Sequence, residues 1–364
     1  MKFIVRALFI VCLLAAMPAH AVEVKEVKSH SGVTAWLVED HHLPLVAMQF
    51  AWRGGIEEDP NGKEGLAELT MDLLTEGADG MNANAFQQQL ADNSVFMRFS
   101  AGRDQLEGSI KSLSKDKDIA FNLLRAAVTK PRFDRDEVER LRGQQLAQLR
   151  VQLGNPQWQA RYALFQKIFG DHPYSKRRLG TEQTITGLTR ADIKNFAQTH
   201  MARDNLIVAV AGDISPKELS AALDHVFGIL PRNAKLAQIG EVVWPQNTAT
   251  ILLPREGTQT ELLFAMPGPK RDDPDWYAAE IADYILGGGG FSSRLMQDVR
   301  DKKGLTYGID TGLSPMEHGA VFMGEAATDN PKTAQAWDIA MDTMHRFYQD
   351  GATEKEIQSA KDYL

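Results

Sequence analysis

Glu68 and Asp72 stand four residues apart in the stretch "KEGLAELTMDLLTEGA" (63–78), with Met71 between them. Leu66, Leu69, Leu73 and Leu74 recur at helical spacing, which predicts a helix that buries its leucines. Residues four apart on a helix share one face, so the two carboxylates could approach one cation. Calcium takes six to eight oxygens, and one helical turn supplies too few. The simpler reading is a polar helix face, near a cleft or on the surface. The histidines give no alternative metal site. His41 and His42 are adjacent in a turn, where their side chains diverge. His172, His200, His225, His318 and His345 are scattered with no i, i+4 pair. The run Gly287–Gly290 lacks the preceding strand and the following Gly-Lys-Ser/Thr of a phosphate loop, and reads as a hinge or a close backbone contact. Arg300 and Tyr307 lie seven apart in "VRDKKGLTYG". Arg300 is expected to end a helix, Gly304 to make the turn and Tyr307 to start a strand. From the residues alone, Arg300 is a solvated cation among Asp298, Asp301 and Lys302, and Tyr307 a half-buried strand aromatic.

The chain that must position these groups has 364 residues, 43% apolar and 24% charged, enough for two globular domains. Residues 1–21 stand apart. Lys2 and Arg6 precede the apolar run "ALFIVCLLAAM", which ends in Pro18 and "AHA". That is a basic start, an apolar stretch too short to span a bilayer and a small-x-small cleavage site, so a signal peptide cut after Ala21 is expected. A lipoprotein site at Cys12 fits less well, because "FIV" before it lacks a small residue. An uncleaved, short anchor is the other alternative. Cleavage removes the only cysteine, so the mature chain would form no disulfide and its core must stabilise it alone. It also leaves 38 basic against 48 acidic side chains, a formal charge of −10. With no long basic patch, nucleic acid is an unsuitable partner. No later apolar run approaches a membrane span, so no membrane contact is expected after cleavage.

Strands are expected at 33–39 and 45–55, joined by the turn "DHHLP". A second helix (82–92), a hairpin turning at 101–104 and a helix stopped by Pro131 follow. A long polar helix begins at Asp134, a good N-cap residue. Another helix is closed by Gly170. A short helix, a buried strand at 204–214 and a last helix complete the first unit. Residues 231–248 are irregular, with two prolines, and are expected to link two domains, 22–230 and 249–364. After the linker the order restarts. "ATILLPRE" and "TELLFAMPGP" read as strands, then helices, a strand pair and a helix follow. "FAWRGG" (50–55) corresponds to "FAMPGP" (264–269), and "FDRDEVERLRGQQL" (133–146) to "ATEKEIQSAKDYL" (352–364), as in a divergent repeat. Hairpins mixed with helices suggest α+β domains with antiparallel sheets. The second copy stops inside its polar helix, so the second domain is expected to be truncated.

The ordered set "GG…EDP.GK.GLA", "HPYSKRRLGTEQTI" (172–185), "NLIVAVAGDI" (205–214) and "GGGGFSSRLMQDVRDKKGLTYGI" (287–309) resembles the insulinase or pitrilysin type of zinc peptidase, the inverzincins. The resemblance spans nearly the whole chain after residue 21 and implies two homologous α+β domains in a clam-like arrangement around a chamber for peptides. The family's metal motif is H-x-x-E-H on the helix of 63–78. Two imidazoles one turn apart hold zinc there, and the glutamate activates water. Aligned on "GLAELTMD", the first histidine position is Glu68, the general-base position Met71 and the second histidine position Asp72. The family's third ligand, a glutamate on the later polar helix, has no counterpart in 141–160, which holds no acid. The resemblance therefore implies no metal on this chain. Arg300 and Tyr307 match a family pair that faces the zinc: the guanidinium would hold peptide carbonyls, and the hydroxyl would donate to the developing oxyanion. In some bacterial members one chain carries the zinc and a partner carries only this pair. The expectation is thus a non-catalytic subunit of an exported, periplasmic heterodimeric zinc peptidase that acts on peptides beside a homologous zinc-bearing partner. The alternative is a scaffold or peptide-binding pseudopeptidase with no part in proteolysis.

Overall fold

The computed structural model describes residues 23–364, residue 248 excepted. The expected signal segment, 1–21, lies outside them. Strands β1 (Lys25–Lys28), β2 (Thr34–Glu39) and β3 (Leu45–Arg53) lead to helix α1 (Leu66–Asp72). A two-residue pair, β4 (Gly77–Ala78) and β5 (Met81–Asn82), precedes helix α2 (Ala83–Asp92). The hairpin β6 (Phe96–Ala101) and β7 (Gln105–Leu113) follows. Five helices come next: α3 (Lys117–Thr129), α4 (Arg135–Gly154), α5 (Pro156–Phe169), α6 (Glu182–Gly187) and α7 (Arg190–His200). Strand β8 (Leu206–Gly212) and helix α8 (Pro216–Phe227) close the first half. The second half holds β9 (Gln259–Pro267), α9 (Trp276–Asp283), β10 (Thr306–Met316), β11 (Gly319–Asp329), α10 (Thr333–Asp350) and α11 (Glu354–Tyr363). Wide, π-type helical turns at Tyr284–Gly288 and Met296–Asp301 lie between α9 and β10. No helix among the described residues is long and apolar enough to cross a membrane.

The first sheet runs β1-β2-β8-β3-β7-β6. β3 alternates, turning Val46, Met48, Phe50 and Trp52 into the core while the residues between face outward or sideways. α1, α3, α7 and α8 bring their apolar faces to the same core. Every neighbouring pair is antiparallel except β2 and β8. That parallel pair departs from the expected all-antiparallel sheet. The helical run α3–α7 carries the chain around and inserts β8 between β2 and β3, which a hairpin could not do. Asp134 occupies the cap position of α4, but its carboxylate accepts from Arg132 Nε at 2.6 Å and caps nothing.

The second sheet has three strands in the order β10-β11-β9, all antiparallel. The strand expected from "ATILLPRE" does not form: 249–256 is irregular, because among the described residues no strand offers it a ladder. A repeated cross-strand pair marks the two halves as copies. Phe50 lies opposite Gly108 on β7, and Phe264 lies opposite Gly324 on β11. A Cβ on either glycine would sit 2.2 Å from the facing ring.

The halves meet where α5 packs on β9 and β11, with Gln157 and Arg161 donating to Glu325, and at two hairpin tips. Asp104, between β6 and β7, accepts a hydrogen bond from the Tyr174 hydroxyl and another from the Glu317 N–H at 3.1 Å. The Tyr174 oxygen accepts in turn from His318 N–H at 2.9 Å. Arg103 stacks over Phe165, Phe169 and Tyr174 beside them, with centroids 5.1–5.7 Å away.

Candidate functional site

α1 begins at Gly65, whose φ of +93° is open to glycine and strained for other residues. A Cβ there would also meet the Leu179 carbonyl oxygen at 2.5 Å. Asp59, six residues earlier, caps the helix through Gly65 N–H (2.7 Å) and Ala67 N–H (2.8 Å). Its side chain is almost wholly buried, and that burial pushes its pKa up to about 7 against the pull of the two amides and Lys176. Burial likewise raises nearby Glu57, whose carboxylate accepts from Gly55 N–H, to about 8. Leu66, Leu69, Leu73 and Leu74 are all in the core, as their spacing predicts.

The three positions between those leucines differ from a plain polar face. Met71 is 1% exposed and belongs to the core. Glu68 is also buried, at 6% exposure, which corrects the expectation of a surface or cleft-side carboxylate. The reason lies 110 residues away: Arg178 Nη1 donates to Glu68 Oε1 at 2.8 Å, and the half-exposed guanidinium covers the acid. Among the described residues Glu68 Oε2 is buried with no hydrogen-bond partner. Burial raises the Glu68 pKa to about 7, Arg178 opposes the rise and Asp72 adds to it. Asp72 reaches solvent, yet desolvation by the surrounding protein still raises its pKa, opposed chiefly by Arg178. α4 turns Gln145 toward the start of α1. Its amide donates to Gly65 O (3.0 Å) and Leu179 O (2.9 Å), and its carbonyl oxygen has no partner among the described residues.

These residues do not fit a zinc ion. One carboxylate is committed to a guanidinium, Met71 offers only a thioether in the core, and the neighbouring helix offers a neutral amide. Among the described residues no three His, Cys, Asp or Glu side chains cluster in a metal-holding arrangement.

Arg300 and Tyr307 lie in the second half. Arg300 falls in the helical turn Met296–Asp301, and Gly304 makes the turn at φ +61°. The Arg300 guanidinium sits 4.8 Å from the Phe291 ring centre and donates to Asp301 Oδ1 at 3.2 Å. Asp298 does not face it; that carboxylate is taken by Lys302, Thr343 and Arg346. Tyr307 is 87% exposed rather than half-buried. The ladder between β10 and β11 shifts register between Thr306 and Ile309, so Tyr307 and Gly308 form a bulge that turns the ring outward. Thr306 holds the bulge: its hydroxyl oxygen lies 2.6 Å from the carbonyl oxygens of both Gly308 and Ala327. Among the described residues no hydrogen bond joins Arg300 to Tyr307, or either of them to Glu68 or Asp72. Asp59, Arg178 and Gln145 escaped the sequence reading. Asp59 was visible as the acid of "EDP", whereas nothing local marks Arg178 within "KRRLG" or Gln145 within "GQQLA".

Comparison with known proteins gives this arrangement its context. A family model described as "Peptidase M16 inactive domain" matches residues 187–364. The crystal structure of a peptidase M16 inactive domain from Pseudomonas fluorescens superposes with a TM-score of 0.89 at 32% identity, over 94% of this chain and 83% of that one. The chain belongs to the peptidase M16 family. A relative from Helicobacter pylori named "Non-peptidase homolog YmxG" is 25% identical over 329 residues, 90% of this M16 chain and 75% of the relative. The "Uncharacterized zinc protease ML0855" of Mycobacterium leprae is 27% identical over 255 residues, 69% of this chain and 57% of its own length. The M16 chain thus spans little more than half of that relative. It is an inactive-type member of that family.

Proposed function

We propose that this M16 chain is the non-catalytic subunit of an exported, periplasmic heterodimeric zinc peptidase. The observation that carries the reading is a contrast between two sites. The α1 positions are sealed by the Glu68–Arg178 pair and by Met71 in the core, whereas Arg300 and Tyr307 stay on the surface, the tyrosine on a bulge with its hydroxyl free among the described residues. The zinc, the water it activates and the general base would come from a homologous partner with an intact H-x-x-E-H. On this chain, the Arg300 guanidinium would hold carbonyl oxygens of an extended peptide. The Tyr307 hydroxyl would donate a hydrogen bond to the oxygen that becomes negative during attack. In this reading residues 22–230 and 249–364 are the two peptidase-like domains, 231–248 the linker and 1–21 the cleaved signal.

The test is to purify the chain alone, with a homologous H-x-x-E-H partner, and with the partner plus Arg300→Ala or Tyr307→Phe. Peptide cleavage is expected in the mixture only. Loss of one oxyanion donor lowers kcat by about 10²–10³-fold, so Tyr307→Phe should fall in that range with assembly intact. Unaided cleavage by the chain with bound zinc would overturn the proposal. Variants that assemble and cleave like the wild type would favour a scaffold with no part in proteolysis.

A further inference from the structure

The segment that follows α5 runs back between α5 and α1, and its three consecutive basic residues take three different surroundings. Lys176 donates to the backbone carbonyls of Glu57 and Asp59. Arg178 covers Glu68 on α1. Arg177, between them, makes no hydrogen bond and no ion pair among the described residues, and its Nε is buried without an acceptor. Its guanidinium carbon lies 3.8 Å from the centre of the Tyr162 ring and 5.3 Å from that of the Trp158 ring. Trp158 and Tyr162 are one helical turn apart on α5, and their rings are parallel to within 8° with centres 5.6 Å apart. They make a flat aromatic floor that holds the guanidinium by its face. Gln157 and Arg161, on the adjoining face of α5, are committed to Glu325, so the carboxylate that α5 does engage does not pair with Arg177.

We propose that Arg177, seated on Trp158 and Tyr162, is a recognition site for a carboxylate carried by a bound peptide, either an acidic side chain or a C-terminus. The two Arg177 Nη atoms, the Tyr162 hydroxyl and the Trp158 Nε1 have no partner among the described residues, and unlike the Arg177 Nε they reach solvent. All four can donate a hydrogen bond, and three of them can do nothing else. Donors gathered over one floor, two of them on a full positive charge, select an oxygen ligand of negative charge. A guanidinium held flat presents its two Nη side by side, which matches the two oxygens of one carboxylate. Fixing the arginine in advance also lowers the entropy that binding must offset. The chain as a whole is acidic, with a formal charge of −8, so its overall field does not collect acidic peptides, and a preference for them needs a specific cation. That the carboxylate arrives on a peptide rests on the proposed function; the donor set rests on α5 and Arg177 alone.

The experiment measures peptide binding to the chain by itself, without partner or zinc, by fluorescence anisotropy at about 0.1 M salt. Three labelled alanine-based peptides are the probes: one with a single central glutamate and an amidated end, its glutamine twin, and that twin with a free C-terminal carboxylate. The glutamate peptide or the free-acid peptide should bind about tenfold or more tightly than the neutral twin, the worth of one charge-assisted contact, and whichever does so names the source of the carboxylate. Arg177→Ala should erase the preference. Arg177→Lys keeps the charge and loses the planar fork, and should lower the preference at least about threefold. Three results would overturn the proposal. One is equal binding of all three peptides. Another is a preference that survives both Arg177 variants. The third is a preference lost on Arg300→Ala and kept on Arg177→Ala, which would put the carboxylate at the other arginine. None of these bears on the rate loss expected of Tyr307→Phe, so this site can fail while the proposed function stands. A chain that shows the preference and supports no cleavage would keep the site and remove the function.

Discussion

Arg178→Ala removes the cation that covers Glu68, and its cost should depend on pH. Breaking a buried ion pair costs about 3–5 kcal/mol because the remaining charge is stranded. Arg178 is half exposed, so solvent screening roughly halves this, to about 2 kcal/mol when Glu68 is ionised. Burial holds the Glu68 pKa in the fold at about 7, above the usual glutamate value of about 4.5. A raised carboxyl pKa means that the folded state holds its proton longer than the unfolded one, so stability falls as pH rises from about 4.5 to 7. At pH 5.5 Glu68 is therefore mostly neutral, and losing Arg178 costs only a hydrogen bond, about 1 kcal/mol. At pH 8.5 the full 2 kcal/mol applies. The assay is urea unfolding of the wild type, Arg178→Ala, Glu68→Gln and the double variant at both pH values. Glu68→Gln should flatten the decline in stability with pH, and in that background Arg178→Ala should cost only the hydrogen bond, about 1 kcal/mol, at both pH values. Equal costs at the two pH values, with no coupling in the double variant, would refute the assignment of Arg178 as the counter-ion of a buried acid.

Two further outcomes concern the frame around that pair. Gly65→Ala should destabilise the chain by about 2 kcal/mol or more, since φ is +93° and the new Cβ meets the Leu179 carbonyl; thermal unfolding checks it. Tyr174→Phe should cost about 1 kcal/mol by removing hydrogen bonds to half-buried partners, and the His318 amide should exchange faster while α1 amides keep their rates.

The leucines of α1, the hairpin at 101–104 and the repeat of "FAWRGG" in "FAMPGP" were legible because each is a local pattern set by one period or one turn. The burial of Glu68 was not, because its cause is an arginine 110 residues away, and local spacing carries no such information. Tyr307 reads as a half-buried strand aromatic from its type, but a single bulge turns it outward, and composition does not mark where a bulge falls. "ATILLPRE" has strand composition, but a strand also needs a neighbour, and in the described chain none reaches it. Residue type alone decided what no fold could change: the Met71 thioether cannot act as a base.

The matched pairs Phe50–Gly108 and Phe264–Gly324 constrain the order in which these sequences can change. Neither glycine can gain a side chain while its phenylalanine remains, because the Cβ would overlap the ring. The ring can shrink first, leaving a gap that a new methyl then fills. Each half therefore holds an ordered gate on substitution, and because both facing strands carry the glycine, exchanging β3 with β9 between halves would leave a phenylalanine opposite a glycine in each.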